Sequence, residues 1–378
     1  MNLRQDAAEL VSALRFDCLH YRGDRPCAPH RETGVRCTCD SFTEVRRTGV
    51  IIKLGAAGDV IRTTPLLRAL DPVRNGIRIL WVSHFPDFVP TDLCEPLPMS
   101  AGTLARLQAV ERDFCWNLDK DAEACSLAAL TRAKERRGFV LRKGVPAPVD
   151  ERGLHSFAAG IDDPFGRANT KNYIEGIFDI VGVPYRRERY LIKAPGKQSQ
   201  DHAAELLPGG NWIGLNIGAS PRWIARIWPE KYWAELATRL MSQGSRVVLL
   251  GGPEEHEINH RLSAQTGATY CGVHPLEMFS ALIGRCDAVV SGVTMAMHLA
   301  IGLGTPLVLL NNIFNANEFE LYDNGEIIGP PNPCDCFYDR VCRTKRECIN
   351  EITPEVVLTA VSRRRRHSTE VAAGQTVR

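Results

Sequence analysis

The sequence predicts an α/β chain built on two doubly wound parallel sheets. Three observations predict it. Short apolar runs of strand length end in glycine-rich or polar loops and alternate with helical patterns. The alternation stops at a Gly/Pro-rich stretch from Lys193 to Gly210, which reads as a linker, and then restarts. The length, 378 residues, suits two domains at roughly 150 residues each.

The elements follow in order. Residues 1–47 form a polar, cysteine-bearing leader in which Leu3, Leu10, Val11 and Leu14 mark one face of a short helix. The first domain is expected over 48–195. Val50-Ile51-Ile52-Lys53-Leu54 reads as a buried strand, and Gly55 to Asp59 as a tight turn. Thr64-Pro65 starts a helix, because proline is favoured at the first helical position. Ile77–Val82 and Phe114–Leu118 are further strands. The second domain is expected over 208–350. Its strands are Trp212–Ile217, Arg246–Leu250, Ala288–Val290 and Pro306–Leu310. Between the first two, Pro229–Met241 places Trp233, Leu236, Ala237 and Leu240 on one helical face. A closing helix over 351–362 precedes a disordered tail over 363–378, rich in Arg at first and in Ser, Thr and Gly later. No short repeat is present.

Composition narrows the function. With 44% hydrophobic and 24% charged residues, the chain is an ordinary globular one, neither disordered nor collagen-like. A net charge of +2 gives no whole-molecule argument for a nucleic-acid partner. The uncharged run Ala288–Leu310 has the length of a membrane span. It contains Gly292, His298, Gly302, Gly304 and Pro306, so it reads as strand, loop, helix and strand, and no transmembrane segment is expected. The start, MNLRQDAAELVSALRF, lacks the pattern of a secretory signal. A cytoplasmic chain is expected, peripheral at most to the inner face of the membrane, and its thirteen cysteines are expected as thiols or metal ligands.

Open α/β sheets bind ligands beyond the carboxyl ends of their strands. Four such loops carry chemistry here. Gly55-Ala-Ala-Gly58-Asp59 joins a close backbone approach to a carboxylate that could act as a base, or is a plain capped turn. Gly218-Ala219-Ser220, followed by Arg222 and Arg226, offers N–H groups, a hydroxyl and guanidinium groups to a pyrophosphate, or is a solvated basic loop. Gly251-Gly252-Pro253-Glu254-Glu255 places carboxylates where a ribose hydroxyl could be held, or merely opens a helix with acidic residues. Ser291 to Ala300 starts an uncharged helix at a strand end, with Thr294, Met297 and His298. His298 by itself reads as a core histidine.

Taken together, these loops resemble glycosyltransferase family 9, the heptosyltransferases. The residues that carry the resemblance are Ile52 to Val60 with Thr64-Pro65, Gly218 to Ser220 with Trp228-Pro229, and Leu249 to Glu254. They continue with His298-Leu-Ala, Gly304 to Pro306 and Cys348 to Pro354. The resemblance spans about 48–362. It implies a GT-B fold, two Rossmann-like domains facing a cleft, with the closing helix returned to the first. It also implies inverting sugar transfer, most simply of heptose from ADP-heptose, without a catalytic cofactor. Asp59 would be the base on the acceptor side, beside Gly55 and Gly58. Gly218, Ser220, Arg226, Gly252, Glu254, Thr294, Met297 and His298 would face the donor nucleotide. The acceptor would be a saccharide, a lipid-linked saccharide or a protein. Two positions depart from the family's pattern. Arg226 stands where lysine is usual, and Val293-Thr294-Met295 replaces a run that contains an aspartate facing the donor. Asn312, Asn315 and Glu318 are candidates for replacement polar contacts. A nucleotide-sugar epimerase or another enzyme on the same architecture, and a non-catalytic nucleotide-sugar-binding protein, are the alternatives.

Three further groups stand out. Cys18, Cys27, Cys37 and Cys39, with His20 and His30 among them, are candidate ligands of a structural zinc or iron, or free thiols; Cys334, Cys336, Cys342 and Cys348 form a second cluster. Asp119-Lys-Asp121 suits either a divalent metal diphosphate or a helix cap. Lys134, Arg136, Arg137, Arg142 and Lys143 could attract an acidic acceptor, or form a solvated face.

Overall fold

A computed structural model describes residues 3–218, 223–332, 335–342 and 347–365. The chain divides into two compact units. One holds the described residues up to Val60, together with Thr64–Phe157 and Ile177–Glu188. The other holds Ile61–Thr63, Ala158–Gly176 and the described residues from Arg189 onward.

The first unit is a six-stranded sheet. Its strands are β1 (Arg47–Ile52), β2 (Ile77–Ser83), β3 (Glu95–Pro98), β4 (Arg112–Asn117), β5 (Ala133–Arg142) and β6 (Val145–Pro148). The spatial order is β3-β2-β1-β4-β5-β6, parallel except for the hairpin strand β6. Val50, Ile51 and Ile52 on β1 have no exposed surface. A central parallel strand is covered on both faces, so an unbroken apolar run is what it requires. Gly49 on β1 is forced: a Cβ there would stand 1.9 Å from the Phe114 ring.

The second unit repeats the scheme. Its strands are β7 (Trp212–Asn216), β8 (Arg246–Leu250), β9 (Thr269–Tyr270), β10 (Ala288–Gly292), β11 (Leu307–Leu310) and β12 (Gly325–Ile328). The order is β12-β11-β10-β7-β8-β9, parallel throughout. The run that resembled a membrane span is β10, the helix Met295–Leu303 and β11. Among the described residues no helix is long and apolar enough to cross a membrane.

Several expectations change. The stretch 193–210 is no linker, because Lys197–Leu206 is a helix that buries Ala203 and, just beyond it, Leu207 in the second core. Glycine and proline at both ends obscured it: Gly196 is its N-cap, and Pro208 follows its end. The first unit accordingly closes at Glu188 rather than 195, and Ala158–Gly176 joins the second unit. The closing helix, Pro354–Arg364, does not return to the first domain. It lays Val357, Leu358, Ala360 and Val361 into the second core beside Ile213, Leu215 and Val308. The chain is already held there, since Trp228 Nε1 donates to Ile352 O at 2.7 Å. The Trp-Pro motif therefore has a packing role. Arg363 and Arg364, expected in a disordered tail, belong to this helix and pair with Glu326; the rest of that expectation, 366–378, lies outside the described residues.

The leader groups with the first unit. Cys18 bridges to Glu44, and Arg78 Nη2 donates to Cys18 O at 2.6 Å. No residue from Asp6 to Thr48 is buried, and Leu10 and Val11 of the first helix are 40% and 52% exposed.

Candidate functional site

In the first unit, the Gly55–Asp59 loop follows β1 and opens the short helix Ala57–Ile61. Asp59 is half-buried, and its Oδ2 accepts the Ala56 N–H at 3.3 Å. What fixes this loop lies beneath it. Lys53 is buried at the end of β1, where it forms an ion pair with Asp119 and donates to Gly55 O at 2.7 Å. Asp119 Oδ2 also accepts the N–H of Leu54 at 2.5 Å and of Gly55 at 3.3 Å. Burial pushes the Asp119 carboxyl up, and the Lys53 ammonium and these N–H groups oppose that shift. The loop backbone is thus held from below by a charge pair that solvent does not reach.

The same pair decides the Asp-x-Asp question. Asp119 is committed to Lys53, and Asp121 caps the helix Ala122–Leu130 by accepting Ala124 N–H at 2.8 Å. The two carboxylates do not share a cation. Four of the five residues of the basic run are likewise engaged within their own unit. Lys134 pairs with Asp113 at 2.9 Å, Arg136 donates to Thr131 O at 2.6 Å, Arg137 pairs with Glu135, and Arg142 donates to Val149 O at 2.7 Å. Sequence reasoning missed His84, which follows β2 and bonds to Glu123 at 3.1 Å while its own N–H reaches Leu54 O. A polar residue directly after a predicted strand was the available signal.

In the second unit, the ends of β7 and β10 meet in a polar knot. Asn216 Nδ2 donates to Ser291 Oγ at 3.2 Å and to Thr294 Oγ1 at 3.1 Å, and the two hydroxyls are 3.0 Å apart. Thr294 is the N-cap of Met295–Leu303 but makes no side-chain cap bond. The first four N–H groups of a helix have no partner within it. Here they are those of Met295, Ala296, Met297 and His298. The side chains of Met297 and His298 point into packing: Met297 is fully buried, and His298 stacks on Tyr190 at 6.2 Å. Tyr190 had not been singled out from the sequence.

Arg226 approaches this helix start and donates to Val293 O. Its guanidinium lies 5.6 Å from the Phe314 ring centre. Among the described residues no carboxylate pairs with it, and its Nε has no partner. Burial pushes it down to about 10, which still leaves it cationic at neutral pH. Ser220 and Arg222 lie outside the described residues.

Gly218 and Gly252 stand on either side of Glu255. A Cβ on Gly218 would meet the Glu255 carboxylate at 2.8 Å, and Glu255 Oε2 accepts the Gly252 N–H at 2.8 Å. Of the two carboxylates expected near the ribose, Glu254 is exposed and outside this arrangement, and Glu255 is inside it. Asn312, Asn315 and Glu318 serve the fold. Asn312 donates to Ala225 O at 2.7 Å, Asn315 to Gly166 O at 2.9 Å and to Asn169 O at 2.7 Å, and Glu318 accepts from Tyr338.

Cys18, Cys27, Cys37 and Cys39 line one cavity of about 370 Å³, together with His20 and His30. Among the described residues no three His, Cys, Asp or Glu side chains stand together as a ready metal site. Cys336 and Cys342 lie 3.6 Å apart, Cys348 is bonded by Asn312, and Cys334 is outside the described residues.

The second sheet therefore gathers a helix start, hydroxyls and the half-buried Arg226 cation at the carboxyl ends of its central strands. That is how doubly wound α/β proteins hold phosphates. Residues 105–334 match the family model of glycosyltransferase family 9 (heptosyltransferase). Lipopolysaccharide heptosyltransferase 2 of Salmonella typhimurium is 36% identical over 93 residues, which cover 23% of this chain and 27% of that protein. The match thus spans about a quarter of that relative's length. Among solved structures, a family 9 glycosyltransferase from Veillonella parvula superposes with a TM-score of 0.67 at 19% identity, covering 84% of this chain and 96% of that one. An Escherichia coli heptosyltransferase solved with ADP gives 0.57 at 18% identity, with 84% and 97% covered. The likeness is one of fold, GT-B with two α/β domains. The chain belongs to glycosyltransferase family 9, whose model matches more than half of it.

Proposed function

We propose that this chain transfers a heptose from ADP-heptose to a hydroxyl of a saccharide, lipid-linked saccharide or protein acceptor, with inversion. The family membership supports the reaction class, and ADP is the nucleotide bound by the Escherichia coli relative. The single observation that carries the donor side is Arg226, a half-buried cation with no carboxylate partner among the described residues, beside a helix start whose N-cap Thr294 makes no side-chain cap bond. Preorganised donors of this kind stabilise the charge that develops on a departing diphosphate.

Asp59 is the base in this reading. Its carboxylate takes the proton from the acceptor hydroxyl, and the oxygen attacks the anomeric carbon. The bond from that carbon to the diphosphate breaks on the opposite face, so the configuration inverts. The electron pair leaves on the diphosphate, where Arg226 and the start of the helix Met295–Leu303 stabilise the charge. Asn216, Ser291 and Thr294 take the place of the family's aspartate with neutral polar groups. Glu255, set between Gly218 and Gly252, faces the nucleotide ribose. No divalent cation enters the scheme. The basic run on β5 is not used for the acceptor, because its charges are already bonded within the first unit.

The test is incubation of the full chain with ADP-heptose and a heptose-deficient lipopolysaccharide core, with ADP release and acceptor mass both followed. Coupled ADP release and acceptor gain are expected. ADP release without any acceptor gain would point to the donor-only chemistry of a hydrolase or epimerase. Neither, with nucleotide still bound, would point to a binding protein.

A further inference from the structure

The leader is a problem in physical chemistry. From Asp6 to Thr48 no residue is buried, yet the segment has definite structure. It has a helix at Leu3–Ser12, a second at Ala28–Thr33 ended by a left-handed Gly34, and a bridge from Cys18 to Glu44. Ordering a residue costs about 1–2 kcal/mol of backbone entropy, and apolar burial normally offsets that cost. Here burial does not. What the segment has instead is a cavity of about 370 Å³ whose wall carries four thiols, Cys18, Cys27, Cys37 and Cys39, and two imidazoles, His20 and His30.

We propose that this cavity is a metal centre, in which the four cysteines with one or both histidines bind zinc or an iron–sulfur cluster, and that the metal fastens the leader. Soft thiolate and imidazole ligands select these metals. In small modules without a core, metal binding is folding free energy. The ligands do not converge as three on one point, so binding closes them around the metal, and a segment with no buried residue can move at little cost. Arg15, Arg25 and Arg36 also line the cavity, Arg15 and Arg25 being paired with Asp17 and Asp24. Core cysteines do not compete, since burial pushes Cys94 and Cys115 up to about 12 and Cys125 to about 11, which keeps them as neutral thiols. This centre lies outside the residues 105–334 that match the family model.

The experiment uses the full chain, purified without oxygen and without added metal. Zinc, iron and acid-labile sulfide are measured per chain, with the visible spectrum. Colourless protein with zinc identifies a zinc site; colour with iron and sulfide identifies a cluster; either supports the proposal. Cys27→Ser and the pair Cys37→Ser/Cys39→Ser should lower bound metal at least tenfold, and Cys336→Ser should not. Limited proteolysis should then cut the first two variants before Arg47. To separate loss of metal from any effect of the serine itself, wild-type chain is also stripped with a chelator. Stripping should expose the same cuts, and restoring the metal should remove them. Metal-free wild-type chain, metal retained in the leader variants, or a leader equally protected before and after stripping would each overturn the proposal.

Discussion

At the scale of single residues, the account rests on Arg226 and Asp59. Arg226 is a cation without a carboxylate partner among the described residues, and such a group is expensive to bury unless an anion completes it. Charge-assisted hydrogen bonds contribute about 1.5–3 kcal/mol, so Arg226→Ala should weaken ADP binding by roughly 10- to 100-fold. Arg226→Lys should recover part of the loss, because charge returns without the planar fork. Isothermal titration checks both. Asp59→Asn should lower the transfer rate by about 10²–10⁴ and leave ADP affinity unchanged; a normal rate would remove the base from the scheme. These two residues were legible from the sequence because Asp59 lies in the glycine-rich turn after β1 and Arg226 follows the Gly218–Ser220 run beyond β7. Asn216 was legible as the start of a strand-end loop, but its bonding was not, and Tyr190 was not legible at all. Their meaning comes from partners far along the chain, Ser291 and His298, and no local spacing announces such a partner.

At the scale of elements, the buried pair Lys53–Asp119 links the end of β1 to the segment after β4 and shapes the Asp59 loop. Breaking a buried pair from one side strands the other charge. Asp119→Ala should therefore cost about 3–5 kcal/mol in denaturant unfolding, and Lys53→Met combined with Asp119→Leu should cost much less. Equal costs for the two would show that the charge pairing is not what the loop depends on. The central strands other than β5 were legible because strands covered on both faces must be apolar throughout; β5, AKERRGFVLR, carries four basic residues and was read only as a basic run. β3, β6, β9 and β12, which run from two to four residues, were not, since edges that short carry no pattern. The helix Lys197–Leu206 was lost for another reason. It is polar on most of its surface and flanked by glycine and proline, so it imitates a linker.

At the scale of the whole molecule, the two-sheet plan was legible, but the assignment of segments to units was not. Ala158–Gly176 joins the second unit through Asn315, which donates to Gly166 O and Asn169 O across nearly 150 positions. The closing helix stays with the second sheet because Trp228 holds Ile352 there. The leader forms a third level of organisation, attached to the first unit and built around its cysteines rather than around a core. If the metal centre is correct, a chelator should release protease-sensitive leader while thermal melting of the two sheets changes little. A large loss in the main transition would mean that the leader also supports the first sheet.

The central claim is that the second unit holds a nucleoside diphosphate through Arg226. The most direct measurement is calorimetric titration of wild-type chain and Arg226→Ala with ADP, UDP, GDP and CDP, under identical conditions. The account predicts preferential binding of ADP by wild type and a loss of roughly 10- to 100-fold on removing the guanidinium. Absence of binding by all four nucleotides, or ADP affinity indifferent to Arg226→Ala, would contradict it.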